Sequence, residues 1–157
     1  MFRIVRGDLV AMAVLGEFDA IIHGCNCFCT MGAGIARQIA QTFPLALKKD
    51  KRTKRGDIAK LGTFSSAVFA NGFTIYNAYT QFQFGKREQY VDYAALEKAL
   101  KAIAADITKL DARVGLPKIG AGLGGGNWET IKDIIQEVFS HHTNVTVVEW
   151  APEEPNA

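Results

Sequence analysis

The sequence predicts an α/β fold in which a central mixed, mostly parallel sheet lies between layers of helices. Three observations predict it. Strand-like and helix-like apolar segments alternate along the 157 residues, as strand–helix–strand units do. The stretch "AIIHGC", residues 20–25, is apolar enough along its length to be a strand buried on both faces. Two glycine-rich turns lead from predicted strands into predicted helices, the arrangement found where ligands bind at the carboxyl edge of an open sheet.

The elements follow in order. "FRIV" reads as the first strand and "AIIHGC" as the second; "GIARQIAQTF", residues 34–43, is helical, and Pro44 ends it. The basic run "KKDKRTKRGD", residues 48–57, reads as a solvated loop between a helix and a strand. It has no interleaved aromatics for base stacking, which weighs against a nucleic-acid surface. "LGTFSSAVFA" and "FTIYNAYT" are β-rich runs joined by Asn71-Gly72, a type I′ hairpin signal. In "DYAALEKALKAIAADITKL", Leu96, Leu100, Ile103, Ile107 and Leu110 form one apolar helical stripe. "ARVGLPKIGAG" is a strand running into glycines. "NWETIKDIIQEVF" places Trp128, Ile131, Ile134, Ile135 and Val138 on one helical face, and "NVTVVEW" is the last strand. The tail "APEEPNA" reads as frayed. With no internal repeat and no linker, residues 1–157 are expected to form a single domain.

Composition narrows the function classes. The net charge of +2 is too small to argue for a nucleic-acid surface by itself. No apolar run approaches the roughly 20 residues needed to span a bilayer, so no membrane partner is expected. "MFRIVRGDLV" lacks the apolar core and cleavage site of a signal peptide. A cytoplasmic setting is therefore expected, where cysteines stay reduced.

All three cysteines, Cys25, Cys27 and Cys29, crowd into seven residues with His23. Four ligands so close together would strain a zinc tetrahedron, and no second ligand pair exists. Free thiols packing a loop are the better reading, and neither metal nor cofactor is expected. The chemistry points instead to anion binding. Gly32-Ala33-Gly34 precedes one helix, and "GAGLGGGNW", residues 120–128, carries five glycines before another. Helix N-termini offer free N–H groups and partial positive charge, and glycine lets backbone approach closely. Neither loop is a Walker motif. The second formally matches G-x-G-x-x-G but lacks the following strand–helix–strand unit and acidic partner of a dinucleotide fold. Two such loops on neighbouring strand ends would grip both phosphates of a diphosphate. His23, at the end of a buried strand, is the candidate for proton transfer or nucleophilic attack, with a satisfied core histidine as the alternative.

Taken together, "VRGDLV", "HGCN…MGAGIA" and "LPKIGAGLGGGNWETI" resemble the macrodomain family, and the likeness covers most of the chain. The pattern around His23 and Asn26 is closest to the yeast-type ADP-ribose 1″-phosphate phosphatase branch. It is also similar to the deacylating and DNA-ADP-ribose-hydrolysing branches. The resemblance implies a three-layer α/β/α fold that binds ADP-ribose or its 1″-phosphate, with ADP-ribosylated macromolecules as further candidate partners. It implies that Asp8 accepts from the adenine amino group, with Leu9 packed beside it; the residue-level alternative is that Asp8 caps the segment after the first strand. Asn26 is implied to hold the distal ribose, an amide being both donor and acceptor, and its alternative is a turn residue. Gly32, Ala33, Gly34 and Ile35 match one diphosphate loop, and Gly122, Leu123, Gly124, Gly125 and Gly126 match the other. Trp150 falls where an aromatic covers the adenine, unless it is a core-edge residue.

The chain departs from the hydrolysing branches. Where they carry a lysine after the strand matching "YNAYT", it has Gln81, and where one carries an acid in the second loop it has Gly124. Lys86 lies five residues beyond Gln81 and is a possible substitute. Phe82, Phe84 and Tyr90 are candidates for lining the distal pocket, or for packing. The implied activity is dephosphorylation of ADP-ribose 1″-phosphate; the alternatives are a non-catalytic ADP-ribose reader and a hydrolase of ADP-ribosylated or acylated ADP-ribose substrates.

Overall fold

The apolar run Ala20–Cys25 forms the strand around which the sheet is organised. In chain order the elements are β1 (Phe2–Gly7), α1 (Leu9–Val14), β2 (Ala20–Cys25), α2 (Gly34–Thr42), α3 (Pro44–Lys51), β3 (Phe64–Val68), β4 (Thr74–Tyr79), α4 (Tyr93–Asp106), β5 (Val114–Leu116), α5 (Trp128–Val138) and β6 (Val145–Trp150), with a 3-10 turn at Ile58–Lys60. They come from a computed structural model that describes residues 1–84 and 90–151. Lys86 and most of the acidic tail therefore lie outside the described residues.

The six strands are ordered β1-β6-β5-β2-β4-β3. β1, β6, β5, β2 and β4 run parallel, and β3 pairs antiparallel with β4. Alternation along the strands feeds two cores. Ile21 and Cys25 face α1, α2 and α3 with Leu9, Ile39 and Ala46. Ala20 and Ile22 face α4 and α5 with Leu96, Leu100, Ile103, Ile131 and Ile135. Each such large aliphatic side chain contributes about 1.5–3 kcal/mol by leaving water. The result is the expected mixed sheet between helical layers. No helix among the described residues is long and apolar enough to cross a membrane.

Several local expectations are corrected. Pro44 ends α2 but also starts a second helix, α3, in which it occupies the first turn. Proline is preorganised there and has no N–H to lose. Lys48, Lys49 and Lys51 accordingly sit in the last turn of α3 rather than in a loop, where they complement the helix dipole. The hairpin is not a two-residue type I′ turn. Gly72 N–H donates to Phe69 O, Phe69 N–H to Phe73 O, and Gly72 has positive φ while Asn71 does not. Packing of Phe69 and Phe73 on each other and on Phe43 holds this longer loop. The α4 stripe ends early: Ile107 leaves helical geometry, and Leu110 is exposed beyond it. The six-residue α1, absent from the sequence reading as a helix, is capped by Asp8.

Candidate functional site

Because five strands are parallel, their carboxyl ends share one edge of the sheet. That edge carries Asp8 after β1, Trp150 at the end of β6, residues 117–127 after β5, residues 26–33 after β2, and residues 80–84 after β4. β2 and β5 are neighbours, so the two glycine loops are too. They touch: a Cβ built on Gly34 would lie 3.2 Å from Leu123 Cδ1.

The first loop is shaped by side-chain and backbone bonds within the chain. Asn26 Oδ1 accepts from the Phe28 N–H at 2.7 Å, and its Nδ2 donates to Thr30 Oγ1 at 2.7 Å. The turn-forming alternative for Asn26 is thus satisfied, though each end of the amide keeps capacity for a second bond. Cys29 and Met31 both adopt positive φ, 58° and 40°, an uncommon strain for non-glycine residues. The loop delivers the chain to α2, whose N-cap is Ala33 and has no side-chain acceptor. By contrast α1, α4 and α5 are capped by Asp8, Asp92 and Asn127. The N–H groups of Gly34, Ile35 and Ala36 consequently find no acceptor among the described residues. Gly32, Ala33 and Gly34 are exposed, and Ile35 is half-buried.

The second loop is tied down from within. Gly126 N–H donates to Gly120 O at 2.8 Å and Gly125 N–H to Gly122 O at 3.1 Å, while Gly124 O accepts from the amides of Tyr90 and Val91. Glycine is required where the fit is tight: a Cβ on Gly124 would stand 2.7 Å from Gly120 O, and one on Gly126 2.6 Å from Val91 Cγ1. The N–H groups of Gly122, Leu123 and Gly124 have no acceptor among the described residues. Two sets of unpaired amides therefore face the same edge, one of them at a helix N-terminus. Such groups attract an anion.

Asp8 Oδ1 caps α1 through the Ala11 N–H at 3.1 Å, and Oδ2 has no hydrogen-bond partner among the described residues. Trp150 is 54% exposed and pairs with Gly7, the residue before Asp8, in the β1–β6 register. Leu9 requires correction. At 1% exposure it is a core residue, its Cδ1 3.0 Å from the Cβ position of Gly115, so its side chain packs inward.

His23 also requires correction. It is 0% exposed and lies inside β2, two residues before the strand's end. Its Nε2 donates to Asn77 Oδ1 at 2.6 Å; the amide is oriented by Nδ2 bonds to Ala46 O and Ser65 Oγ. Burial lowers the imidazole pKa to about 4, only partly offset by the Asn77 bond, so the ring is neutral at physiological pH. This is the satisfied core histidine. Through Asn77, which bonds Ala46 O, it is tied to α3.

The cysteines diverge. Cys25 Sγ lies beside His23, Cys27 Sγ donates to Gln81 O, and Cys29 Sγ to Asp50 O. Burial raises the pKa of Cys25 and Cys27, which keeps both as thiols. Gln81 turns its amide to Gln83 O.

The sequence reading missed what supports the first loop. Lys60, buried, donates from Nζ to Cys27 O at 3.1 Å and lies 3.4 Å from Cys29 Sγ, over the Tyr79 ring. Asp50, also buried, accepts from Tyr79 OH at 2.8 Å, and burial raises its pKa. Asp50 falls in the stretch that looked like a solvated basic loop and Lys60 three residues beyond it, and nothing in the composition there marks either charge as interior.

Comparison with known proteins identifies the family of the fold. A family model described as "Macro domain" matches residues 22–135. An uncharacterized 17.5 kDa protein of Enterobacteria phage T4 is 36% identical over 96% of this chain and 97% of its own. A Thermus aquaticus DNA ADP-ribosyl glycohydrolase is 31% identical; the match spans the whole chain but 43% of the relative's length. An ADP-ribose 1″-phosphate phosphatase of Lodderomyces elongisporus is 28% identical over 94% of this chain and 98% of its own. Among solved structures, the macrodomain of Thermus aquaticus DarG superimposes with a TM-score of 0.72 at 27% identity, covering 97% of this chain and 99% of that one.

Proposed function

Since the chain belongs to the macro domain family, we propose that it binds ADP-ribose at the carboxyl edge of its sheet and hydrolyses the phosphate from ADP-ribose 1″-phosphate. One observation carries the binding: the free amides of Gly34–Ala36 and of Gly122–Gly124 stand on touching loops, matched to two linked phosphates. In this reading Asp8 accepts from the adenine amino group through its unpartnered oxygen, Trp150 covers the base, and the spare capacity of Asn26 meets the distal ribose.

Hydrolysis then runs by attack of water on phosphorus, forming a P–O bond as the bond to the anomeric oxygen breaks. Main-chain amides stabilise charge on the phosphoryl group. His23 is assigned a positioning role: it stiffens the end of β2 through Asn77, and solvent returns the proton to the leaving oxygen. The three free thiols suit a reducing compartment, which supports a cytoplasmic setting.

Calorimetric titration with ADP-ribose, AMP and NAD tests the ligand. Micromolar binding of ADP-ribose, with AMP and NAD much weaker, is expected; equal binding of AMP would overturn the diphosphate grip. Phosphate release from the 1″-phosphate tests the reaction. A second reading, hydrolysis of an ADP-ribosyl bond to a macromolecule, is favoured by the Thermus aquaticus relative's name and identity, and opposed by Gln81 in place of a lysine. It predicts release of free ADP-ribose from a modified target.

A further inference from the structure

One thiol of the first loop has a setting unlike the other two. Cys25 and Cys27 are buried and turn their sulfurs to His23 and Gln81 O. Cys29 is only half-buried, and its sulfur meets a polar cluster. Lys60 Nζ lies 3.4 Å from Cys29 Sγ, Asp50 O 3.2 Å and Thr53 Oγ1 3.4 Å. Lys60 is 7% exposed and makes no ion pair among the described residues. Asp50, 1% exposed, accepts from Tyr79 OH through Oδ1, while Oδ2 has no partner among the described residues. Neither the buried ammonium nor the buried carboxylate oxygen has the counter-group that burial normally demands. A cation beside a partly exposed sulfur is the setting in which cysteines react. The cluster also braces the loop. Cys27 O accepts from Lys60 Nζ at 3.1 Å and from the Gly56 N–H at 2.7 Å, and a Cβ on Gly56 would lie 3.3 Å from Phe28 Cε1.

We propose that Cys29 and Lys60 form a covalent modification site, joined by hydrogen peroxide through a sulfur–nitrogen bond that thiols reverse. The Cys29 sulfur attacks one peroxide oxygen. An S–O bond forms, the O–O bond breaks, sulfur loses two electrons and the other oxygen leaves as water, giving the sulfenic acid. The Lys60 ammonium gives a proton to Asp50 Oδ2, and the neutral amine attacks sulfur. The N–S bond forms as the S–O bond breaks, and the hydroxyl leaves as water with a second amine proton. Thiol and amine have then each lost one hydrogen, and one peroxide has become two waters. Two thiol equivalents undo the bond: the first displaces the amine, the second frees Cys29. A sulfenic acid commonly condenses with a thiol, but here the other two thiols have other partners and the amine is in contact. Bond formation closes the 3.4 Å gap, draws in a residue held at φ 58°, and takes Nζ from Cys27 O. The first glycine loop must shift in response. Only the consequence for ADP-ribose rests on the function proposed above.

Peptide mapping tests the bond. Folded protein is treated with hydrogen peroxide, remaining thiols are alkylated, and the digest is read by mass spectrometry without reductant. The expected product is a crosslinked pair of peptides carrying Cys29 and Lys60, lighter than their sum by two hydrogens. It should vanish with dithiothreitol and be absent from C29S and from protein oxidised in urea. K60R should leave Cys29 as a sulfenic acid that dimedone traps; the wild-type map decides the matter even if that variant fails to fold. Cys29 left unoxidised, a disulfide among the three cysteines as the main product, or a wild-type sulfenic acid with Lys60 free would each overturn the proposal. Calorimetry on the crosslinked protein reads the effect on the loop. ADP-ribose affinity is expected to fall about fivefold or more, the scale of one displaced hydrogen bond, and to return with dithiothreitol. C29S should show the same affinity before and after peroxide. Unchanged affinity in the crosslinked protein, or an equal fall in C29S, would overturn the link to the loop. Crosslinking in a protein that never binds ADP-ribose would overturn the function proposed above and leave this site standing; binding without crosslinking would do the opposite.

Discussion

Leu123 rests against the bare α-carbon of Gly34: its Cδ1 is 3.2 Å from where a side chain would begin. This contact joins two loops 89 residues apart in sequence (123 − 34) into one anion-facing surface. Gly34 also has φ +58. G34A is therefore expected to strain the backbone by about 1–2 kcal/mol and to push Leu123 away. Calorimetry should find ADP-ribose bound about tenfold or more weakly, the effect of disturbing one or two charge-assisted bonds. The double variant G34A/L123A should recover part of that loss. Wild-type affinity in G34A would refute the coupling of the loops.

The uncapped start of α2 is expected to be a compromise between stability and binding. Ala33 has the extended backbone, φ −147 and ψ 157, that a capping residue adopts. An aspartate there should accept from the free amides, raising stability by about 1 kcal/mol. It should also hold a carboxylate where the diphosphate binds. A33D is expected to melt at higher temperature and to lose ADP-ribose affinity. A higher melting temperature with unchanged affinity would mean that those amides do not face the ligand.

Asp8 has two roles that one substitution separates. Asparagine caps a helix as well as aspartate does, so D8N should retain the cap of α1 and unfold at the same urea concentration within experimental error. Its amide can no longer offer two acceptor oxygens to an adenine amino group. Selectivity for ADP-ribose over the inosine analogue should fall in D8N. Retained selectivity would leave Asp8 as a cap alone.

The buried imidazole of His23 makes stability depend on pH. Its pKa is about 4 in the folded chain against an ordinary 6.5. Below 6.5 the unfolded chain takes up a proton that the folded one refuses, so stability is full above that value. It falls as pH drops toward 4, by about 3 kcal/mol in all. Urea unfolding across that window should show this slope, and H23Q should flatten it. The same variant reports on mechanism. If His23 only positions β2, phosphate release by H23Q stays within about tenfold of wild type; a loss of 10²-fold or more, the scale of a missing acid–base group, would restore it as a direct participant.

Much of the fold was legible because periodicity survives in the sequence. The stripe of Leu96, Leu100 and Ile103, the apolar run of β2 and the glycine clusters after β2 and β5 each follow from local spacing. Local spacing misled where a longer-range partner intervened: Phe43 packing on Phe69 and Phe73 altered the hairpin, and Pro44 opened a helix as well as closing one.

By itself, the sequence determined the alternation of strands and helices and the positions at which backbone, rather than side chain, must face an anion. Both are consequences of side-chain periodicity and of glycine's missing Cβ. Only the tertiary structure decided which groups are inside. Whether His23, Leu9, Lys60 and Asp50 meet water depends on helices packed over them from distant parts of the chain, and the same packing brings Phe28 against the basic turn at Gly56. Burial is a property of the assembled layers, and no residue's immediate neighbours in sequence encode it.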